Sequence, residues 1–285
     1  VIEVIGFGLA GACVALQLQR AGHKVRVIDD GRAGSSMVAA GLVNPVAGRN
    51  FEPSWDVVGA WEVALPFYEE LGEGLFQEVP IMRLWRDAKD RAKFEKKRKM
   101  IAGWVSTVNE DGVIWKGGGW LDCPRFLAQA RKVFLTRGGE IFEKPLGGKQ
   151  IWCTGASGLL RGDFKGVEHR SAKGEILTVE VPGWDEEKIL NRNGWVIPIG
   201  GDRYRVGATY EWDDLESGPT AKGRAKVEEL LQTFTKRKFT VLDHVAGIRP
   251  IIERSRPVVV YQEGKGWMFN GLGSKGVIYA PRVGL

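Results

Sequence analysis

Residues 2–30 read IEVIGFGLAGACVALQLQRAGHKVRVIDD, an apolar run, three spaced glycines, a helical pattern and two terminal acids. Ile2, Val4 and Ile5 have the composition of a short strand. The stretch from Ala10 to Ala21 is rich in Ala, Leu and Gln, which favour helix. Gly22 suits a helix end, and Val25, Val27 and Ile28 predict a second strand. Gly6 then permits a tight turn, Gly8 lets backbone approach a pyrophosphate, and Gly11 lets the helix pack closely on the strand. The first helical turn, with Leu9 and Ala10, offers unpaired N–H groups to phosphates. Asp29 closes the second strand, where it can accept hydrogen bonds from a ribose 2′-hydroxyl. Asp30 is either a second ribose contact or a solvated acid. The same glycines could serve a turn alone. The strand–helix–strand–acid frame around them favours a dinucleotide.

The 285-residue chain can bury a large core, as one domain or as two interleaved ones. With 44% apolar and 27% charged residues it has the composition of a soluble globular protein. The formal charge of +6 gives only a weak expectation of anionic partners. Cys13, Cys123 and Cys153 are scattered in apolar settings and read as buried free thiols of a reducing, cytoplasmic protein. They form no CxxC pair. His23, His169 and His244 are equally dispersed, so no metal site is expected. No charged leader and no apolar span long enough to cross a bilayer is apparent. The sequence starts at Val1 without a methionine, so an incomplete chain is expected.

Past Asp30, GRAGSSMVAAGLVNPVAGRN is rich in small residues, with a short helical piece around Ser36–Ala40. Such residues leave room for a flat group against backbone. Trp55–Gly72 predicts a helix, and VPIMRLWRD a strand. The basic run at 89–99 predicts a solvated helix with Ala92, Phe94 and Met100 as its packing residues. Asp122 is an expected N-cap, with Pro124 early in the helix that follows. QIWCTG predicts a strand stopping at Thr154–Gly155. Alternating strands and helices point to a mostly parallel sheet. From Ile176 to Tyr210, short β-branched and aromatic runs predict antiparallel strands of a second sheet. A helix is expected over about Ala221–Phe234. A final one begins near Ser274 and is interrupted at Leu285, where a complete version would continue.

Taken together, the opening motif, Ala39-Ala40-Gly41, the WCTG strand end, VAGIRP and GLGSKGVIYAP resemble the D-amino acid oxidase-like family of FAD-dependent oxidoreductases. Glycine oxidase and sarcosine oxidase belong to it. The likeness spans Ile2 to Pro281 and is firmest at its two ends. It implies an α/β fold: a Rossmann-like FAD-binding domain with a mostly parallel sheet, interleaved with a smaller antiparallel-sheet substrate domain. The FAD-binding parts would be 1–50, 120–165 and 245–285, and the substrate or cap parts 51–119 and 166–244. Gly6, Gly8, Gly11 and Asp29 match the ADP-binding end. Ser36, Ala39, Ala40 and Gly41 would lie beside pyrophosphate and flavin, and Thr154 and Gly155 beside the adenine-side ribose. Gly271, Gly273, Ser274, Lys275, Gly276 and Val277 match a terminal turn whose N–H groups face the flavin ring. A helix start with a nearby lysine would stabilise the charge of a reduced flavin. Lys275 is thus either a flavin tuner or a surface ion-pair partner.

Arg249 matches the arginine that clamps the substrate carboxylate, a task suited to a guanidinium fork. Its alternative is a structural pairing with Glu253 or a backbone carbonyl. Tyr204, Tyr210, Trp212 and Arg86 are candidates to line the pocket, as is His244. No cysteine follows Cys153, so FAD attached through a C-terminal cysteine is excluded and non-covalent FAD is expected. The link between Glu143 and Gln150 is short for this family. The expected activity is oxidation of the C–N bond of a small amine or amino acid to an imine, with oxygen or a quinone-type acceptor. Two alternatives are a flavin enzyme acting on a modified tRNA base and a non-catalytic dinucleotide-binding scaffold. Nucleic acid is otherwise an unexpected partner.

Overall fold

The structure, a computed structural model, describes residues 1–215, 218–252 and 256–284. The chain opens with β1 (Ile2–Ile5), α1 (Leu9–Arg20), β2 (Val25–Ile28), the short α2 (Ser35–Val38) and β3 (Leu42–Val43). Next come α3 (Val57–Leu71), β4 (Phe76–Glu78), β5 (Ile81–Leu84), α4 (Ala88–Lys97), β6 (Val105–Val108), β7 (Gly112–Trp115) and β8 (Gly119–Leu121). Helix α5 (Cys123–Thr136) leads to β9 (Glu140–Phe142), β10 (Lys149–Trp152) and α6 (Gly155–Leu160). Strands β11 (Ala172–Glu180), β12 (Ile189–Asn191), β13 (Trp195–Gly200) and β14 (Arg203–Gly207) precede α7 (Ala221–Phe234). The chain closes with β15 (Thr240–Arg249), β16 (Val258–Gln262), β17 (Gly266–Asn270) and α8 (Gly276–Val283). Leu285, where the last helix was expected to be interrupted, lies outside the described residues.

One sheet has the order β16-β17-β10-β1-β2-β9 and is parallel except at the β16–β17 pair. Strand β1 therefore sits between β2 and β10, and the chain leaves it in one direction and returns on the other side. A crevice opens at such a switch point beyond the carboxyl ends of the strands. Helices α1, α5 and α8 pack together against this sheet in one core with α3. Helix α5 shows the sequence logic: Asp122 caps its first turn through the Arg125 N–H, and Phe126, Leu127, Ala130 and Phe134 are buried. Phe126, Leu127 and Phe134 each contribute about 1.5–3 kcal/mol on full burial.

The second sheet runs β15-β11-β14-β13-β12-β5-β7-β6, antiparallel except where β12 meets β5. Its two faces have separate cores. Leu177, Val179, Tyr204 and Val206 pack under α7. Ile176 and Ile197 face the other way, toward Ala40 and Phe51. Strand β15 lies wholly in this sheet and so crosses the boundary drawn at residue 245. A small third sheet joins β3, β8 and β4.

The basic run forms α4, capped by Asp87 and anchored by the buried Phe94. Ala92 and Met100, expected to pack, are exposed instead. No helix among the described residues is long and apolar enough to cross a membrane.

Candidate active site

The carboxyl ends of β1, β2, β10 and β17 bring the sequence-marked glycines and acids to one edge. Gly6, Asp29, Thr154 and Gly271 follow the last residues of these strands closely. The edge is stitched by hydrogen bonds from Gly6 N–H to Ile28 O (2.7 Å) and from Cys153 N–H to Ile5 O (2.8 Å). Asn270, which was not singled out in the sequence, adds a tie from its side-chain amide to Gly155 O (2.9 Å). It also accepts the Gly271 N–H.

Gly6 has φ +96°, a conformation that L side chains rarely adopt, and a β-carbon there would press on Cys153 O. A β-carbon on Gly11 would overlap Gly6 O, and one on Gly41 would overlap Leu121 O. The glycines thus bring α1 onto β1 and the 39–41 loop onto β8. Helix α1 has no capping side chain on Gly8; Leu9 N–H donates to Ser36 Oγ instead (3.0 Å). The N–H groups of Gly8, Ala10 and Gly11 have no protein acceptor among the described residues. Those of Ser274, Gly276, Val277 and Ile278, at the start of α8, likewise have none. Lys275, half-buried at the α8 cap, has no carboxylate in ion-pairing reach among the described residues. Burial pushes its ammonium pKa down, and nearby Arg256 adds to the effect. Two helix starts with N–H groups lacking a described acceptor, and a lysine with no described carboxylate partner, match at one crevice the phosphates and electron-rich ring edge of a flavin dinucleotide.

Asp29 sits where a ribose contact was expected. Burial holds its carboxyl above the ordinary range, against the pull of Arg131 at 3.5 Å. Asp30 instead takes Arg32 in an exposed pair at 2.8 Å. Thr154 stands at the N-cap position of α6, and its hydroxyl donates to Asp163 rather than accepting from the helix.

Above this edge stands the face of the eight-stranded sheet that carries Ile176. Gly247 on β15 packs so closely on α2 that a β-carbon would touch Val38 and Ser35. Arg205 on β14 reaches across and donates to Val38 O and Ala39 O, both at 2.7 Å. Sequence reading passed it over in favour of its neighbour. Tyr204 points to the opposite face, packs on Trp184 (ring centroids 4.6 Å) and accepts the Glu186 N–H. It belongs to the α7 core and does not line the crevice.

Arg86 is also corrected. Its guanidinium pairs with Asp90, which Arg83 joins at 3.4 Å. Strand β5 lies five strands along from β15, roughly 24 Å at the usual spacing. His244 faces away too, bonding Glu175 at 2.8 Å beside the α7 N-cap, Thr220.

Arg249 ends β15 and lies on the crevice side. Its Nη1 donates to Thr209 O (3.2 Å), and its Cζ sits 4.1 Å from the Tyr210 ring centroid. The guanidinium occupies the volume over Gly174 that any β-carbon would fill. Burial lowers its pKa, and no described carboxylate pairs with it. Glu253, the alternative partner, lies outside the described residues. A desolvated guanidinium of this kind is a receptor for a carboxylate.

The sequence pattern of the DAO family, described as FAD dependent oxidoreductase, matches residues 2–285. The chain belongs to that family. Its fold is shared with iminodiacetate oxidase from Chelativorans sp. BNC1 at TM-score 0.84 and 22% identity, covering 100% of this chain and 93% of that one. Glycine oxidase from Geobacillus kaustophilus superimposes at TM-score 0.83 and 18% identity, over 99% of this chain and 92% of that one. L-proline dehydrogenase from P. horikoshii does so at 0.77 and 15%, over 99% and 90%. The protein is thus an FAD-dependent oxidoreductase of mixed α/β fold. In this DAO-family enzyme, the starts of α1 and α8 carry N–H groups with no described protein acceptor.

Proposed function

We propose that the enzyme oxidises the C–N bond of a small amino acid or carboxylated amine to an imine, which water hydrolyses to a carbonyl compound and ammonia or, from an N-substituted substrate, an amine. The observation that carries this reading is the half-buried Arg249, on the crevice side and without a described carboxylate partner. Gly8, Ala10 and Gly11 would hold the pyrophosphate, Asp29 the ribose, and the α8 start with Lys275 the flavin ring. Bound FAD supplies the two-electron acceptor for the hydride that leaves the substrate α-carbon.

Arg249 binds the substrate carboxylate and so fixes the α-carbon against the cofactor edge, replacing a bimolecular encounter with a fixed orientation. Thr209 O and the Tyr210 ring hold the guanidinium in place. Tyr210 contributes from the crevice side. No acid–base residue is required if the amine arrives neutral. Iminodiacetate, glycine and proline, named for the structural neighbours, are carboxylated amines and set the size of substrate to try first.

Residues 1–50, 120–165 and 245–285 are read as the cofactor-binding part, and 51–119 and 166–244 as the substrate part. FAD is held without a covalent bond. Oxygen or a quinone takes the electrons. The three buried free thiols suit a reducing cytoplasm.

The test is anaerobic mixing of the FAD-loaded enzyme with amino acids, N-substituted glycines and 2-hydroxy acids, following loss of flavin absorbance. Bleaching by amines, with a carbonyl product after exposure to water, is expected. Bleaching by hydroxy acids alone would overturn the reading.

A further inference from the structure

Two short segments place four side chains on one face beside Arg249. Lys173 and Glu211 form an antiparallel bridge through reciprocal backbone hydrogen bonds of 2.8 and 3.0 Å. Alternation of side chains along extended backbone puts Tyr210 and Trp212 on the face opposite Glu211. The same rule puts Arg170, Ala172 and Gly174 opposite Lys173. That face is the one carrying Arg249, which pairs with Ala172 in the sheet register.

The side chains confirm the alternation. Arg249 Cζ lies 4.1 Å from the Tyr210 ring, Tyr210 and Trp212 are 5.6 Å apart and 35° from parallel, and Arg170 Cζ lies 5.3 Å from the Trp212 ring. Both aromatic residues are 45% exposed, unusual for rings that could have packed in a core. Between the two arginines the β11 floor is Ala172 and Gly174, which add no bulk. Arg170 is exposed and has no described carboxylate in ion-pairing reach.

We propose that Arg170 is a second anion-binding position, so that the site prefers amine substrates bearing one carboxylate on Arg249 and a further carboxylate reaching Arg170 across Tyr210 and Trp212. The bridge register sets Tyr210 opposite Gly174 and Trp212 opposite Ala172, one side-chain repeat apart, about 7 Å. The half-buried guanidinium of Arg249 takes the α-carboxylate, because its partial desolvation strengthens that contact relative to the exposed one. The exposed one selects the distal group at modest strength, weakening with salt. The aromatic faces keep both guanidiniums in position.

The proposal rests on Arg249 holding the α-carboxylate, and the experiment separates the two. Butyrate and glutarate are titrated into the FAD-loaded enzyme, reading the flavin absorbance change, in the wild type and in Arg170→Gln and Arg170→Lys. The same proteins are assayed with the best monocarboxylate amine and its analogue carrying a terminal carboxylate. Glutarate should bind more tightly than butyrate, by up to about fivefold. Arg170→Gln should abolish that preference, Arg170→Lys should keep part of it, and kcat/KM should change in the same ratio. Tighter butyrate binding, or a glutarate preference that survives Arg170→Gln, overturns the second position while leaving Arg249 in place. Failure of both anions to perturb the flavin removes the Arg249 reading and this one with it.

Discussion

The guanidinium of Arg249 fills the space above Gly174 that a β-carbon would need, so two residues on adjacent strands share one volume. Replacing Gly174 by Ala must push the guanidinium off Thr209 O and the Tyr210 ring. Gly174→Ala is expected to raise KM for a carboxylated substrate by about tenfold or more, as a misplacement of 1 Å in a binding group can do. FAD content should be retained. Steady-state kinetics beside a flavin-to-protein ratio checks it.

Close approach at the cofactor edge is less forgiving. A β-carbon on Gly11, inside α1, overlaps Gly6 O, a backbone atom of a turn tied down by the Gly6 N–H bond to Ile28 O. Gly11→Ala is expected to lose FAD and to destabilise the fold by about 1–3 kcal/mol or more. Denaturant unfolding and the absorbance of the purified variant report the two effects separately.

Arg205 acts between the sheets. Arg205→Met strands the Val38 and Ala39 carbonyls, each costing about 1–3 kcal/mol where it stays dry. The 38–41 loop should loosen, so the variant should melt lower and release FAD more readily. Arg205→Lys, a single point charge, restores one contact at most.

Asp29 gives a pH signature. Burial raises its native pKa, so the native state keeps its proton to a higher pH than the unfolded chain does. The stability this carboxyl contributes is complete below its unfolded pKa and is lost as pH rises through the native one. FAD-free Asp29→Asn should therefore melt above FAD-free wild type at neutral pH, and the gap should close as pH falls through the carboxylate range. The same variant should bind FAD more weakly. A melting series against pH, with and without FAD, checks both signs.

Much of this arrangement was legible in the sequence because its causes are local. The spacing of Gly6, Gly8 and Gly11 forces a turn and a close helix, and Asp122 with Pro124 announces α5. Asp90 follows Arg86 at helical i+4 spacing behind an Asp87 cap, which could have assigned Arg86 to an ion pair rather than a pocket. Tyr204 and Arg205 required more. Adjacent strand residues take opposite faces, but which face meets α2 is decided by α7 covering the other. The fit of Arg249 over Gly174 and the Asn270 tie to Gly155 join residues far apart in sequence, and no local pattern announces them.

The most direct measurement of the account is carboxylate binding to FAD-loaded wild type and Arg249→Leu, followed by anaerobic flavin reduction with the same amine. The account predicts that Arg249→Leu keeps its FAD, binds the carboxylate about ten- to a hundredfold more weakly, as loss of a charge-assisted hydrogen-bonded pair implies, and is reduced correspondingly slowly. Equal carboxylate affinity and equal reduction in the two proteins would contradict it.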